Sequence, residues 1–384
     1  MSSLTVERRF SSDAGPELLE LVRDIAAKEL SPRVDEAEEA ARFPAEVYAT
    51  LGKAGLLGLA YPESFGGAGL PYRDYLQLLE EIAGAWLSVG IGVSVQTLAT
   101  FPVVGFGTPA QQEAFATRLT SGELLGAYCL SEPHCGSDAA ALTTRATRDG
   151  DDYVVDGTKA WTTHGGVADV YNLMVRTSDD GPRGITCLLA DATTDGLAPA
   201  RPEHKMAAGA SPTAQIVLSD ARVPADRRIG AEGQGFSIAM AALDAGRLGI
   251  AACAVGLAQS ALDLATQYAR DRQAFGRPIG TFQGVSFMLA DMATGVAAAR
   301  ALYLEAADRK DAGVAFSAQA AMAKLFATDT AMRVTTDAVQ VLGGAGYVHD
   351  WPAERWFREA KVLQIVEGTN QIQRLVIGRH LTGL

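Results

Sequence analysis

A mainly helical chain interrupted by one small β domain is the fold class this sequence predicts, and three observations predict it. Apolar residues recur at helical spacing through the first third of the chain. Short runs of strand formers separated by turn residues then fill the middle, and helical spacing returns and lasts to the end. At 384 residues the chain exceeds one ordinary core. The expected division is an N-terminal helical domain over 1–122, a central β-sandwich or barrel over 123–231, and a C-terminal helical bundle over 232–384.

Each element has its own signal. Leu18, Leu19, Leu21, Val22 and Ile25 share one helix face, followed by Leu30, and Ser31-Pro32 breaks the pattern. A second helix is expected through Val47, Leu51, Leu56 and Leu57. The run from Pro62 to Pro71, with Gly66-Gly67-Ala68-Gly69, reads as a loop. Apolar helices follow at about 73–83, 88–104 and 109–120. Strands are expected at Ala127–Leu130, Asp152–Val155, Tyr171–Val175, Ile185–Leu189 and Gln215–Leu218. Asp156-Gly157, Asp180-Gly181-Pro182 and Asp195-Gly196 mark the turns between them. Lys205–Thr213 is read as a further extended segment. Beyond Gly233-Gln234-Gly235 three long helices are expected at about 235–270, 281–311 and 315–342, the last stopped by Gly343-Gly344. A shorter helix near 353–360 and one beginning at 370 complete the chain.

Composition narrows the function. Hydrophobic residues make up 48% and charged residues 20%, a globular balance. The net charge of -12, with no dense Lys/Arg run to offset it, argues against nucleic acid. Four cysteines without C-x-x-C spacing, and five histidines not beside them in ligand pairs, predict no metal centre and reduced, buried thiols in a cytoplasmic protein. Met1–Phe10 is polar, with no apolar signal core. The longest apolar helical stretch, Leu248–Leu262, is shorter than the ~20 residues a bilayer span needs, so no membrane segment is expected.

The most informative segment is Ile365-Val366-Glu367-Gly368-Thr369-Asn370-Gln371-Ile372-Gln373. Glu367 follows an apolar run and precedes a helix start, with Asn370 and Gln373 spaced as a capping box. Burial would raise its pKa and the helix N-terminus would lower it, a combination that suits a general base. A carboxylate that merely satisfies backbone amides is the plainer alternative. Four other segments could carry chemistry. Tyr128–Asp138 leaves a strand into a Gly/Ser turn whose amides and hydroxyls could hold a phosphate or flavin, or be an ordinary loop. Trp161-Thr162-Thr163-His164 ends a strand with an aromatic able to stack on a flat ring, and His164 is read as a turn histidine rather than a catalyst. Asp244 and Arg247 lie at i and i+3 in an apolar helix and either pair together or face a ligand. Arg270, Arg272 and Phe275 close one helix before Phe282-Gln283 open the next, an arrangement that suits phosphate binding or helix capping. No G-x-G-x-x-G after a strand, P-loop or G-x-S-x-G is present.

Taken in order, these segments resemble the acyl-CoA dehydrogenase family over essentially the whole chain. The resemblance is carried by Leu130-Ser131-Glu132-Pro133 with Gly136-Ser137-Asp138 and by Gly157-Thr158-Lys159-Ala160-Trp161-Thr162-Thr163. Asp244-Ala245-Gly246-Arg247, Arg272-Gln273-Ala274-Phe275-Gly276, Gln340-Val341-Leu342-Gly343-Gly344 and Glu367-Gly368-Thr369 continue it. It implies an N-terminal helical domain, a central β domain and a C-terminal four-helix bundle, assembled as a homotetramer. It further implies FAD, an acyl-CoA substrate oxidised to a trans-2-enoyl-CoA, and an electron-transferring flavoprotein as electron acceptor. Carried over by motif, Glu367 resembles the base that takes the α-proton while the β-hydrogen leaves as hydride to the flavin. Tyr128, Leu130, Ser131 and Ser137 resemble flavin and thioester contacts, and Trp161 and Thr163 flavin-ring contacts. Arg272, Gln283, Gln340 and Gly344 resemble residues that reach the FAD of a neighbouring subunit, and Phe275 and Gly343 beside them resemble further cofactor contacts. Thr369 and Gln371 resemble pyrophosphate or adenosine contacts, and Ser137, Asp244, Arg247 and Gly368 substrate-side residues.

Where some branches of the family place the base next to Arg247, this chain has Gly246, so Glu367 has no competitor. Three departures from the pattern are His134-Cys135 in the Glu-Pro turn, Gly209 in place of a larger polar residue, and Val366 where straight-chain members carry tyrosine. The last would widen the pocket toward branched acyl chains. The alternatives are an oxidase of the same fold, an enzyme acting on carrier-bound acyl chains, and a non-catalytic CoA-ester binding protein.

Overall fold

The computed structural model describes residues 6–383; Met1–Thr5, half of the polar stretch read above as lacking a signal core, and Leu384 lie outside the described residues. α1 (Gly15–Ile25) turns Val22 and Ile25 into the core. Ser31-Pro32 does not end this path. It sits in a 3-10 turn after a π turn at Ala26–Leu30 and leads directly into α2 (Val34–Glu39), because proline is tolerated in a first turn. α3 (Ala45–Lys53) is shorter than its apolar spacing implied: Gly55 turns the chain left-handed at φ 72, and Leu56 and Leu57 enter the core from the turn. α4 (Tyr72–Ala85) and the almost wholly buried α5 (Leu87–Phe106) follow. α6 (Pro109–Thr120) starts at a capping box of Thr108 and Gln111.

The expected sandwich or barrel takes the form of one connected mixed sheet. Its strands are β1 (Gly126–Cys129), β2 (Arg145–Asp149), β3 (Asp152–Thr163), β4 (Val170–Arg176), β5 (Ile185–Asp191), β6 (Leu197–Pro199), β7 (Thr213–Pro224) and β8 (Arg228–Ile229). They run β6-β7-β3-β2-β4-β5-β8, with β1 joined in parallel to β4. Tyr171, Leu173 and Val175 of β4 pack with Tyr153, Val155, Ile216 and Leu218. The alternate residues Val170 and Met174 pack with Phe115, Leu119 and Ile238 of the helical parts. Strand β2 gave no signal in the sequence because only Ala146 of its five residues is buried, and pairing with β3 decides its state. Lys205–Pro212, expected to be extended, is an irregular loop: Ala208 is left-handed, Lys205 Nζ donates to Ser211 O at 2.7 Å, and the loop packs on Glu38.

The third part holds α7 (Gly235–Asp271), the β9/β10 hairpin (Gln273–Ala274, Arg277–Pro278), α8 (Gln283–Asp311), α9 (Ser317–Leu342), α10 (Ala353–Leu363) and α11 (Asn370–Thr382). α7 is the hub, packed by α4, α5, α8 and α9. Gly256 permits the α4 approach, since a Cβ there would stand 2.2 Å from Glu80 O. The helices are longer than the apolar stretch judged too short for a bilayer. Leu87–Phe106, Gly235–Asp271 and Gln283–Asp311 all meet the length and hydropathy of a span. Protein encloses the first two, whereas only 17% of the apolar window of α8 is buried.

Candidate active site

Glu367 lies in the loop between α10 and α11 at φ 55, followed by Gly368 at φ 85. A left-handed glutamate is uncommon and is held here by its surroundings. Thr369, not Asn370, caps α11: its side chain accepts from Ile372 N at 3.3 Å. This corrects the expected capping box. Gln373 is turned the other way, its Nε2 donating to Gly368 O at 2.8 Å and Glu367 O at 3.2 Å. Asn370 is buried and bonds Thr328 Oγ1 at 3.0 Å and Asp329 Oδ1 at 2.7 Å.

Glu367 as a whole is partly buried, yet its Oε2 is sealed and has no hydrogen-bond partner. Burial pushes its carboxyl up to about 7, against the opposing pull of Arg247 and Lys324. The carboxylate lies against α7 at Gly246, where a Cβ would meet Oε2 at 2.8 Å and Leu98 Cδ1 at 3.3 Å. The glycine that cannot act as a base is thus what lets the carboxylate approach the helix. Tyr128 on β1 presents a sealed hydroxyl with no partner, and burial holds it protonated far above the usual phenol range, with the Glu367 charge adding to the effect. Asp244 and Arg247 do pair with each other, and Ser317 Oγ adds a bond to Asp244. Arg247 Nε remains buried and unpartnered. Tyr128, Arg247 and Glu367 therefore bring unmet polar atoms to one region from three elements.

The strand-to-turn segment is fixed by a buried ion pair. Lys159 Nζ of β3 donates to Glu132 Oε1 at 2.7 Å and Leu130 O at 3.3 Å. Burial alone would raise the Glu132 carboxyl, but Lys159 and the Thr143 and Thr144 amides hold it at about 2. The Glu132, His134 and Cys135 ligand atoms lie within 4.8 Å of one another, but the Lys159 ammonium disfavours a cation there. Ser131 O receives Ala160 N at 2.9 Å, which docks the turn on β3, while Leu130 is buried and Ser137 exposed. Register shifts in the β3–β7 pairing re-aim Trp161, left-handed at φ 59 and 64% exposed, with Thr163 partly buried beside it. His164 is fully buried, its Nδ1 bonded to Gly126 O at 2.9 Å and its ring edge-on to Tyr48; burial lowers its pKa to about 4.

The remaining candidates stand apart from Glu367. Arg272, Phe275 and Gln283 lie at the hairpin between α7 and α8, with Phe275 95% exposed. Gln340, Gly343 and Gly344 are exposed at the end of α9. A cleft of about 450 Å³ lined by Tyr268, Asp271, Arg272, Ala345 and Trp351 joins these two places. Gln371 is exposed on the first turn of α11. Sequence reasoning missed Lys324 of α9, fully buried and bonded to Gly368 O and Asn370 Oδ1, each at 2.9 Å. A single cation within Ala318–Ala327, otherwise nearly all small or apolar, was the signal available.

Comparison with known proteins places three consecutive family descriptions on the chain: "Acyl-CoA dehydrogenase, N-terminal domain" on residues 12–123, "middle domain" on 127–221 and "C-terminal domain" on 233–382. The chain is 44% identical over 368 residues to the human short-chain specific acyl-CoA dehydrogenase, mitochondrial, covering 95% of this chain and 89% of that protein. It superposes on butyryl-CoA dehydrogenase from Megasphaera elsdenii with a TM-score of 0.95 at 39% identity, covering 98% and 100% of the two chains. A chain of the structure described as "Electron transferring flavoprotein of Acidaminococcus fermentans: Towards a mechanism of flavin-based electron bifurcation" gives 0.95 at 40%, covering 98% and 99%.

Proposed function

From the premise that the chain belongs to the acyl-CoA dehydrogenase family, we propose that it oxidises a short acyl-CoA to the trans-2-enoyl-CoA with Glu367 as the base. The observation that carries this reading is the sealed, unpartnered Glu367 carboxylate, raised to about 7 beside the unmet Tyr128 hydroxyl and Arg247 Nε. A carboxylate poised near neutral pH can accept the α-proton of a thioester, and its Oε2 holds that proton in a site closed to water. The Glu367 N–H is the donor we assign to the thioester oxygen, where it would stabilise the developing enolate.

The residues fit FAD. The orphaned Tyr128 hydroxyl, the docked Leu130–Ser131 turn, the outward Trp161 with Thr163, and the α11 N-terminus with Thr369 and Gln371 would hold it. When bound, FAD supplies the two-electron acceptor for the β-hydrogen. Arg272, Phe275, Gln283, Gln340, Gly343 and Gly344 are exposed on the single chain, which supports their reaching the cofactor of a second copy. The exposed apolar length of α8 supports association with further copies, a number that the family resemblance puts at four. An electron-transferring flavoprotein as acceptor is part of the same reading.

Short substrates are favoured by the seam beside the base. Leu98 lies against Gly246, and a Cβ at Gly249, one turn on, would stand 2.2 Å from Ser94 Oγ, so α5 closes on α7 there. The test is anaerobic titration of the flavin-loaded protein with butyryl-, isobutyryl-, 2-methylbutyryl- and octanoyl-CoA, following flavin absorption. Bleaching strongest with butyryl-CoA is expected. Preference for the branched esters would instead favour the reading from Val366, and a flavin that stays oxidised with every ester would overturn the proposal.

A further inference from the structure

Lys324 lies in the interior of α9 with its side chain fully buried. An ammonium in such a place persists only with partners. Two of its three N–H groups have them, Gly368 O and Asn370 Oδ1, both at 2.9 Å. Gln373 Nε2 holds the same Gly368 carbonyl from the other side at 2.8 Å. The two successive left-handed residues Glu367 and Gly368 are therefore gripped at the Gly368 carbonyl, directly after them.

The charges facing Lys324 single out one counter-ion. On its own helix Asp329 is already engaged by Asn370 Nδ2 and Gln364 Nε2, each at 2.7 Å, and by Arg374 of α11 at 3.1 Å. From α7, Arg247 is a like charge, paired to Asp244. From the loop, Glu367 brings a carboxylate whose Oε2 has no hydrogen bond of its own.

Taking Glu367 as the base proposed above, we infer that Lys324 is its positioning residue: the ammonium fixes the Gly368 carbonyl, in the peptide one residue beyond the base, and its charge favours the ionised carboxylate. Burial lowers Lys324 to about 7 and raises Glu367 to about 7, so each charge supports the other over the same pH range.

The test uses flavin-loaded protein and butyryl-CoA, with kcat/KM measured across pH for the parent, K324Q, K324M and N370A. Removing the charge moves the acid limb up by about one pH unit in both Lys324 variants, an approximately tenfold loss on the acid side that shrinks at high pH. K324Q, which keeps an N–H for the Gly368 carbonyl, retains a higher plateau than K324M. N370A keeps the ammonium, so its limb stays with the parent while its plateau falls. An unmoved limb in K324Q, with only plateau or stability reduced, would overturn the inference, and K324Q decides alone if K324M does not fold. A parent protein that butyryl-CoA fails to bleach would instead remove the base assignment on which the inference rests.

Discussion

Replacing Glu367 by glutamine should make the protein more stable while removing its activity, and the gain should depend on pH. Burial takes the carboxyl from an ordinary 4.5 to about 7. That gap corresponds to about 3 kcal/mol at ~1.36 kcal/mol per pH unit. The folded state binds the proton more tightly than the unfolded chain, so stability falls as pH rises from about 4.5 through 7. Above that window the full cost is present; below it there is none. Glutamine carries no charge to bury, so E367Q should gain about 3 kcal/mol at pH 8.5 and less than about 1 kcal/mol at pH 5. For a chain of 384 residues the gain at pH 8.5 corresponds to a rise in Tm of about 4 °C. Thermal unfolding of flavin-loaded parent and variant at the two pH values reads this, and anaerobic bleaching by butyryl-CoA reads the loss of activity, at least about 100-fold. An equal gain at both pH values, or a loss at pH 8.5, would refute the argument from burial. Near-normal bleaching would refute the assignment of the base.

Four further outcomes follow from other contacts. G246A puts a methyl 2.8 Å from Glu367 Oε2 and should lower the bleaching rate about 10–100-fold by displacing the base, with flavin retained, as stopped-flow absorption would show. K159M strands the Glu132 charge and should cost about 3–5 kcal/mol in denaturant unfolding, most of it recovered in K159M/E132L. His164 is neutral in the fold down to about 4, so it adds stability above its ordinary 6.5 that is lost as pH falls through 4. H164Q should flatten that acid-side loss in thermal melts while changing bleaching by less than about threefold. F287D places a charge on the exposed face of α8 and should dissociate the assembly in sedimentation and weaken flavin retention.

The long helices were legible because their apolar positions repeat over many turns and end at clear stops, as α9 does at Gly343. The segment Glu367–Thr369 was legible as a site only together with the other collinear motifs of the family resemblance, because a carboxylate before a helix start is by itself common. What stayed hidden depends on pairing across the chain. β2 is polar and becomes a strand only against β3, and the Lys205–Pro212 loop is shaped by its packing on Glu38. The cap was misplaced by one residue because Thr369 and Asn370 are both competent caps; burial of Asn370 against Thr328 and Asp329 left the role to Thr369. Lys324 gave no periodic signal. Its meaning appears only once α9 and the Gly368 carbonyl are brought together.

The site concentrates an unfavourable charge at one carboxylate, and the rest of the fold must bear it. A left-handed glutamate with a sealed, unpartnered oxygen would relax if its loop could move. It is held at three points: Gln373 and Lys324 hold the next carbonyl, Asn370 locks the start of α11 to α9, and the carboxylate is seated against α7 in the room that Gly246 leaves. α9 and α7, which carry two of these points, share the largest helical contact in the chain, so the anchors cannot drift independently of the core. The reactivity assigned to Glu367 is on this view a property of the packed bundle. A variant that loosened the α7–α9 seam far from the carboxylate would lower the base's pKa toward the ordinary value by admitting water.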